Sequence, residues 1–300
     1  MHAEFTRIAI IGAGRLARCL ALALDARGEH VVAVASRTSS HAQALADQLH
    51  GAHVLDAAEA VASADLVLLT VPDDHIASVA ASLPWRAGQA AVHCSGATSL
   101  DALSAARAAG AIAGALHPLQ IFSAPVASAE AALTLLAGSR AAVEAEGAAL
   151  QARLEGLARA LGMQAFALPT GARAAYHAAA SYAASFLLSM LEEAGAIWRD
   201  AGLPPEAALA ALLPLARGTL AAAEARGLAG ALSGPISRGD AGVVAAHLQA
   251  LEAQGRAGFY RVIAQRQLEL ARAGGRLDAA ALARLEKLLG DVDGGLAPDA

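Results

Sequence analysis

Two rhythms of apolar and polar residues run along this chain, and the switch between them divides it. Over residues 6–120, short apolar runs alternate with stretches whose apolar positions recur three and four apart. The runs Arg7–Ile11, Val31–Ser36, Leu66–Val71, Ala90–His93 and Ile112–Leu116 read as buried strands. The intervening stretches Arg15–Arg27, Ser40–Leu49, His75–Leu83 and Ser99–Ala109 read as helices. Strand and helix in alternation predict a parallel sheet covered on both faces. A strand over Ala132–Ala137, a helix over Arg140–Leu161 and a strand over Met163–Leu168 are expected to extend it.

After Pro169-Thr-Gly171 nothing reads as a strand. Ala172–Ala201 reads as one long helix, Pro204-Pro205 opens another, and Gly227–Pro235 breaks the chain. Asp240–Leu251, Gly255–Ala273 and Asp278–Leu289 are helical in pattern. The expected fold class is α/β, a doubly wound Rossmann sheet followed by an all-helical domain. The expected boundaries are a nucleotide-binding domain over 1–168, a helical domain over 169–290 and a disordered tail over 291–300.

Composition narrows the setting. The 300 residues are 56% hydrophobic. Much of that excess is alanine, a helix former with little transfer energy. No run of about 18 strongly apolar, uncharged residues occurs, so no membrane span is expected. The first residues lack the basic and apolar regions of a signal peptide. Two cysteines, Cys19 and Cys94, build no disulfide framework, and a cytoplasmic location is expected. A net charge of −5 without basic clusters argues against nucleic acid as a partner. No metal site is expected.

The candidate chemistry begins at the first strand. Gly12, Gly14 and Ala17 form G-x-G-x-x-A between a strand and a helix. Gly12 suits the tight turn, Gly14 close backbone approach to a pyrophosphate, and Ala17 helix–strand packing. Arg15 and Leu16 then stand at the helix N-terminus, where free N–H groups favour phosphate. The second strand ends without a carboxylate; Ser36, Arg37 and Thr38 stand there instead. A guanidinium and hydroxyls suit a 2′-phosphate, so NADP(H) is expected over NAD(H).

Three later strand ends carry polar residues, where ligands bind in open α/β sheets. Val71, Pro72 and Asp73 are candidate cofactor contacts, and Asp74 a candidate helix cap. Ser95, after His93 and Cys94, is a candidate hydrogen-bonding group; nothing nearby activates Cys94 as a nucleophile. His117, followed by Pro118, is a candidate acid or base, with a structural role open as well. On the long helix, His177, Ser181, Ser185 and Ser189 share a slowly turning face, and Tyr176 lies about 100° from His177. Arg238 either clamps an anion or pairs with Asp240.

These motifs carry a resemblance. Gly12-Ala-Gly-Arg-Leu-Ala17, Val71-Pro-Asp-Asp74, His93-Cys-Ser-Gly-Ala97, His117-Pro-Leu-Gln120, Tyr176-His-Ala-Ala-Ala180 and Gly234-Pro-Ile-Ser-Arg-Gly-Asp240 occur in that order. The chain resembles bacterial proteins that join a Rossmann-like NADP-binding domain to a helical domain of unknown function. These are labelled deazaflavin-dependent NADP oxidoreductase-like, within the 6-phosphogluconate and β-hydroxyacid dehydrogenase clan. The resemblance spans roughly residues 5–275 and implies NADP(H) binding and, commonly in this clan, dimerisation through the helical domain. Some members are thought to reduce ketopantoate. One departure is Ser185, where family members often carry asparagine. Another is lysine: the clan's β-hydroxyacid dehydrogenases use one on the interdomain helix, but the sole lysine here is Lys287.

The resulting expectation is an NADPH-dependent reductase of a small carbonyl compound such as a 2-oxo acid, acting as a homodimer. Its catalytic candidates are His117, His177 and Ser95; Tyr176, Ser181, Ser185 and Arg238 would contact substrate. A non-catalytic NADP(H)-binding regulator is the alternative, since a fold alone does not dictate turnover. Ala- and Leu-rich helices from Pro204 to Ala273 support the homodimer.

Overall fold

The structure is a computed structural model, and it describes residues 5–290. The expected tail over 291–300 lies outside the described residues. The chain forms two compact units, which divide between Ala184 and Ser185.

The first unit is built on an eight-stranded sheet. Its strands are β1 (Ile8–Ile11), β2 (Val31–Ala35), β3 (His53–Val54), β4 (Leu66–Leu69), β5 (Ala90–His93), β6 (Ile112–Leu119), β7 (Arg140–Ala145) and β8 (Gln164–Ala167). Their order across the sheet is β3-β2-β1-β4-β5-β6-β7-β8. All neighbours are parallel except β6 and β7, which run antiparallel. Chain order reverses between β1 and β4, which makes the crevice at their carboxyl ends the topological switch point.

The strands are buried on both faces, as crossover helices require. On one face Ile8, Ile10, Leu66, Leu68 and Val92 pack with α1 (Arg15–Ala26), α6 (Ala129–Leu136) and α7 (Ala148–Ala160). On the other, Ala9, Ile11, Val67, Leu69 and Ala91 pack with α3 (Ala57–Ser63), α4 (Ile76–Ser82) and α5 (Ser104–Ala108). The period of two along each strand sorts its side chains to the two layers. A further short helix, α2 (Ser39–Ala46), follows β2, and α8 (Arg173–Ala183) ends the unit.

Several elements differ from the sequence expectation. Ala132–Ala137 is not a strand: it falls largely in α6, whose N-terminus Ser128 caps by accepting from the Ala131 amide. The helix expected over Arg140–Leu161 splits. Its first six residues form β7, because the extended β6 supplies a ladder partner, and Gly147 then allows the turn into α7. The short pair β3 and α3 was not expected; α3 opens with a capping box of Asp56 and Glu59. The long helix over Ala172–Ala201 breaks at Ala184, whose φ −116 and ψ −84 lie outside the helical range. Nothing in the local sequence explains that break.

The second unit is helical: α9 (Ser185–Asp200), α10 (Pro205–Ala231), α11 (Pro235–Arg238), α12 (Ala241–Glu252), α13 (Ala257–Ala273) and α14 (Ala279–Leu289). Its core is Ile236, Val244, Leu248, Leu268, Leu285 and Leu289. Arg256 ties α9 to the start of α13 by bonds to Glu193 and Asp200, at 3.0 and 2.9 Å. By length and composition α10 can cross a membrane, and it is little buried. Arg217, Glu224 and Arg226 interrupt it, Pro214 lies inside it, and Gly227 kinks it at φ 70.

Candidate active site

The glycine turn and the end of β4 meet at the switch point. The Thr70 hydroxyl donates to the Ile11 carbonyl at 3.0 Å. A Cβ on Gly12 would lie 2.6 Å from that hydroxyl oxygen, and Gly12 sits at φ +120. Glycine is thus required there twice over, by strand approach and by conformation. Gly14 differs: a Cβ would meet nothing within 4 Å. It is the N-cap of α1 and makes no side-chain cap bond, so the first amides of that helix face open space. This is the cradle a pyrophosphate requires. Leu16 packs towards the core, and the Arg15 guanidinium rests on the Ser123 carbonyl at 2.5 Å. Past β2, Ser36 is half-buried while Arg37 and Thr38 are exposed, with the Thr38 amide donating to the Ser36 hydroxyl at 3.4 Å.

After β4, Asp73, Asp74 and His75 form a 3-10 turn. The expected cap does not form: α4 starts at Ile76 with no side-chain capping bond, because the aspartates are taken up in that turn.

Beyond the crevice, the carboxyl ends of β5 and β6 carry the titratable candidates. His93, the last residue of β5, is fully buried, and its Nδ1 accepts from the Ser95 amide at 3.3 Å. Burial, then Arg173 and His117, hold its pKa down to about 3, against a smaller upward effect of the Ser99 backbone. Ser95 is buried and spends its hydroxyl inside its own loop. It accepts from the Ala97 and Thr98 amides and donates to the Thr98 hydroxyl, at 2.9–3.1 Å. Cys94 is buried, and burial pushes its thiol up to about 12, so it is no nucleophile at neutral pH.

His117 on β6 and Tyr176 on α8 form a direct pair, Nδ1 to hydroxyl at 2.7 Å. Burial foremost, then His177 and Arg173, lower His117 to about 4, with Asp73 acting the other way. Burial raises Tyr176 to about 12, against the opposing effect of Arg173. Both groups are neutral across the physiological range. The His177 ring stands edge-on to His117, centroids 6.2 Å apart, and the Phe166 ring flanks Tyr176 at 5.9 Å. Gly96 lies against both histidines: a Cβ there would be 2.7 Å from His177 Cδ2 and 2.8 Å from His117 Cε1. The absent side chain is what admits the two imidazoles.

Arg173, in the first turn of α8, was not singled out from sequence. It is 4% exposed, bonds the Glu144 carboxylate of β7 through Nε and Nη2 at 3.0 and 2.6 Å, and donates from Nη1 to the Ser95 carbonyl at 2.9 Å. The sequence carries one cue: a cation in the first turn opposes the helix dipole and is favoured there by an anionic partner.

The structure therefore brings His117, His177, Ser95 and Tyr176 to one place, together with His93, Gly96, Arg173 and Glu144. Ser181 lies one turn along α8 from His177 and donates to its carbonyl at 3.1 Å. Ser185 and Arg238 belong to the second unit. There Arg238 is exposed and pairs with Asp240 at 2.9 Å, the second of the two roles open to it.

Known proteins match this architecture in two parts. Residues 7–95 match the family described as NADP oxidoreductase, coenzyme F420-dependent. Residues 139–267 match a domain of unknown function, DUF2520. The two matches follow one another along the chain in that order. No curated protein matches the chain. Among solved structures, protein TM1727 from Thermotoga maritima shares 24% identity at a TM-score of 0.71, covering 90% of this chain and 100% of that one. A reductive aminase from Aspergillus terreus, in complex with NADPH and ethyl-5-oxohexanoate, shares 18% identity at TM-score 0.58, covering 95% and 92%. A 1-pyrroline-5-carboxylate reductase from Streptococcus pyogenes shares 16% at 0.60, covering 90% and 99%. At these identities the likeness establishes the fold.

Proposed function

We propose that this chain is an NADP(H)-dependent oxidoreductase that reduces a small C=O or C=N compound. The observation that carries the reading is the 2.7 Å Tyr176–His117 pair at the carboxyl ends of the sheet. The cofactor assignment draws support from the residue 7–95 family match and from the loop geometry. The Gly12–Gly14 turn and the first amides of α1 would hold the pyrophosphate. Arg37, with Ser36 and Thr38, would hold the 2′-phosphate. Val71, Pro72 and Asp73, past the end of β4, would contact the nicotinamide half. When bound, the nicotinamide supplies a hydride.

The protein's part is to bind, orient and deliver a proton. With its pKa near 12, the Tyr176 hydroxyl keeps its proton at neutral pH. His117 Nδ1–H then donates to the phenolic oxygen, which frees the phenolic O–H for the substrate oxygen or nitrogen. As that proton leaves, the imidazole N–H stabilises the phenolate charge; such aimed donors are worth several kcal/mol in a dry site. This refines the expected donor from His117 or His177 to Tyr176 backed by His117. A 2-oxo acid such as ketopantoate is one candidate substrate, and imines belong in the same panel.

The test follows absorbance of reduced nicotinamide against oxo acids and imines, for wild type and Tyr176→Phe. The expected result is turnover that Tyr176→Phe lowers by about 10²–10⁴-fold while NADPH binding persists. Full turnover by Tyr176→Phe would refute the role. Tight NADPH binding without turnover on any compound would favour the regulator.

We also propose a homodimer through the second unit. Leu209, Leu215, Leu220 and Leu228 along α10 are 56–70% exposed, a larger apolar run than water normally meets. A single-chain mass by light scattering at micromolar concentration would overturn it.

A further inference from the structure

We infer that Arg173, paired with Glu144, is a positioning residue that sets the Tyr176 hydroxyl against His117. This deepens the reductase reading and rests on it for its consequence in turnover, but its structural content is separate.

Three segments converge on this one side chain. Its Nε and Nη2 engage Glu144 on β7, and its Nη1 engages the Ser95 carbonyl in the loop after β5. Its own backbone is the first turn of α8. Glu144 stands opposite Ala115 on β6, two residues from His117 along the same strand. Tyr176 follows Arg173 by three residues, which places both on one side of the helix. Fixing the guanidinium therefore fixes the azimuth of α8, and with it the reach of the phenol to His117. It also pins the Ser95–Gly96 backbone on which both imidazoles rest.

A buried ion pair is often replaceable by apolar residues at no loss of stability. The pair has a local meaning here, because the cation bonded to Glu144 also acts through its field on His93, His117 and Tyr176. The positive field favours neutral imidazoles and eases proton loss from the phenol, while Glu144 keeps the guanidinium compensated. His177 and Asp73 complete the charged and titratable groups acting on His117. Lysine in this place keeps the charge but loses the fork that joins two acceptors.

The experiment uses the full chain, with Arg173→Lys, Arg173→Gln and Arg173→Gln/Glu144→Gln. His117 is titrated by histidine NMR, NADPH affinity is measured directly, and kcat is read on whichever panel compound wild type reduces. Arg173→Gln should raise the His117 titration by about half a pH unit or more. It should also cut kcat at least about tenfold and leave NADPH affinity within about twofold. Arg173→Lys should restore the titration but not kcat. The double variant removes both charges and keeps amide hydrogen bonds. It guards against misfolding of the single variant, and should show a smaller rise. An unmoved His117 titration in Arg173→Gln or, if that variant does not fold, in the double variant, would overturn the proposal. So would undiminished kcat in Arg173→Gln. If wild type reduces nothing in the panel, the titration still decides the electrostatic role while the reductase reading alone fails.

Discussion

Replacing Gly96 with alanine isolates the chemistry from the nucleotide turn. The new Cβ would sit 2.7 Å from His177 Cδ2 and 2.8 Å from His117 Cε1, where ordinary contact starts at 3.4 Å. The shortfall is therefore about 0.7 and 0.6 Å by subtraction of those distances. The backbone is poorly placed to yield, since Arg173 holds the Ser95 carbonyl at 2.9 Å. The rings must give instead. A recoil of His117 by that shortfall stretches a 2.7 Å bond to Tyr176 to about 3.3 Å, the weak edge of hydrogen bonding. Overpacking of this kind costs about 1–3 kcal/mol. For a unit of this size that lowers Tm by about 2–12 °C. Misplacement approaching 1 Å costs up to about 10²-fold in rate. Gly14→Ala is the counterpart, with nothing within 4 Å of its Cβ, so it should keep Tm and lose NADPH affinity. Calorimetry, coenzyme fluorescence and turnover on both variants separate the two sites. Wild-type Tm and turnover in Gly96→Ala would refute the steric argument.

Two further outcomes follow from the same geometry. Arg37→Asp replaces a cation at the proposed 2′-phosphate position with an anion. NADPH affinity should fall about ten- to a hundredfold while NADH affinity holds or rises, and retention of the wild-type preference in direct binding would remove Arg37 from the site. Acid should weaken the first unit. His93 and His117 have folded pKa values of about 3 and 4, below the usual 6.5. The unfolded chain thus binds their protons first, so stability is intact above about pH 6.5 and is lost as pH falls through about 4 and towards 3. Urea midpoints across that window should decline, and His93→Gln should flatten the decline. A flat wild-type profile would show that these rings are not held neutral by the fold.

The strands β1, β2, β4 and β5 and the glycine turn were legible because each depends on local pattern. Apolar runs bounded by Gly12 or by polar ends leave few alternatives. Alanine blurred the later elements. Ala132–Ala137 carries three leucines and no charge and falls largely in a helix, while the alanine-rich Arg140–Ala145, with both an arginine and a glutamate, is strand. Only the exposed edge of β6, extended to Leu119, decides that Arg140–Ala145 pairs and does not coil. His117, His177, Ser95 and Tyr176 were visible as polar residues at strand ends or on an apolar helix. Their grouping was not, since 59 residues separate the partners of the central hydrogen bond.

Local periodicity by itself determined an α/β half opening on a glycine turn, followed by a helical half, because backbone hydrogen bonding and side-chain period act over a few residues. Tertiary structure alone decided that Gly96 is a seat for two imidazoles, that Arg173 answers Glu144, and that Tyr176 meets His117. Those facts depend on which strands become neighbours, and burial, which sets the proton affinities, exists only once the sheet has closed over them.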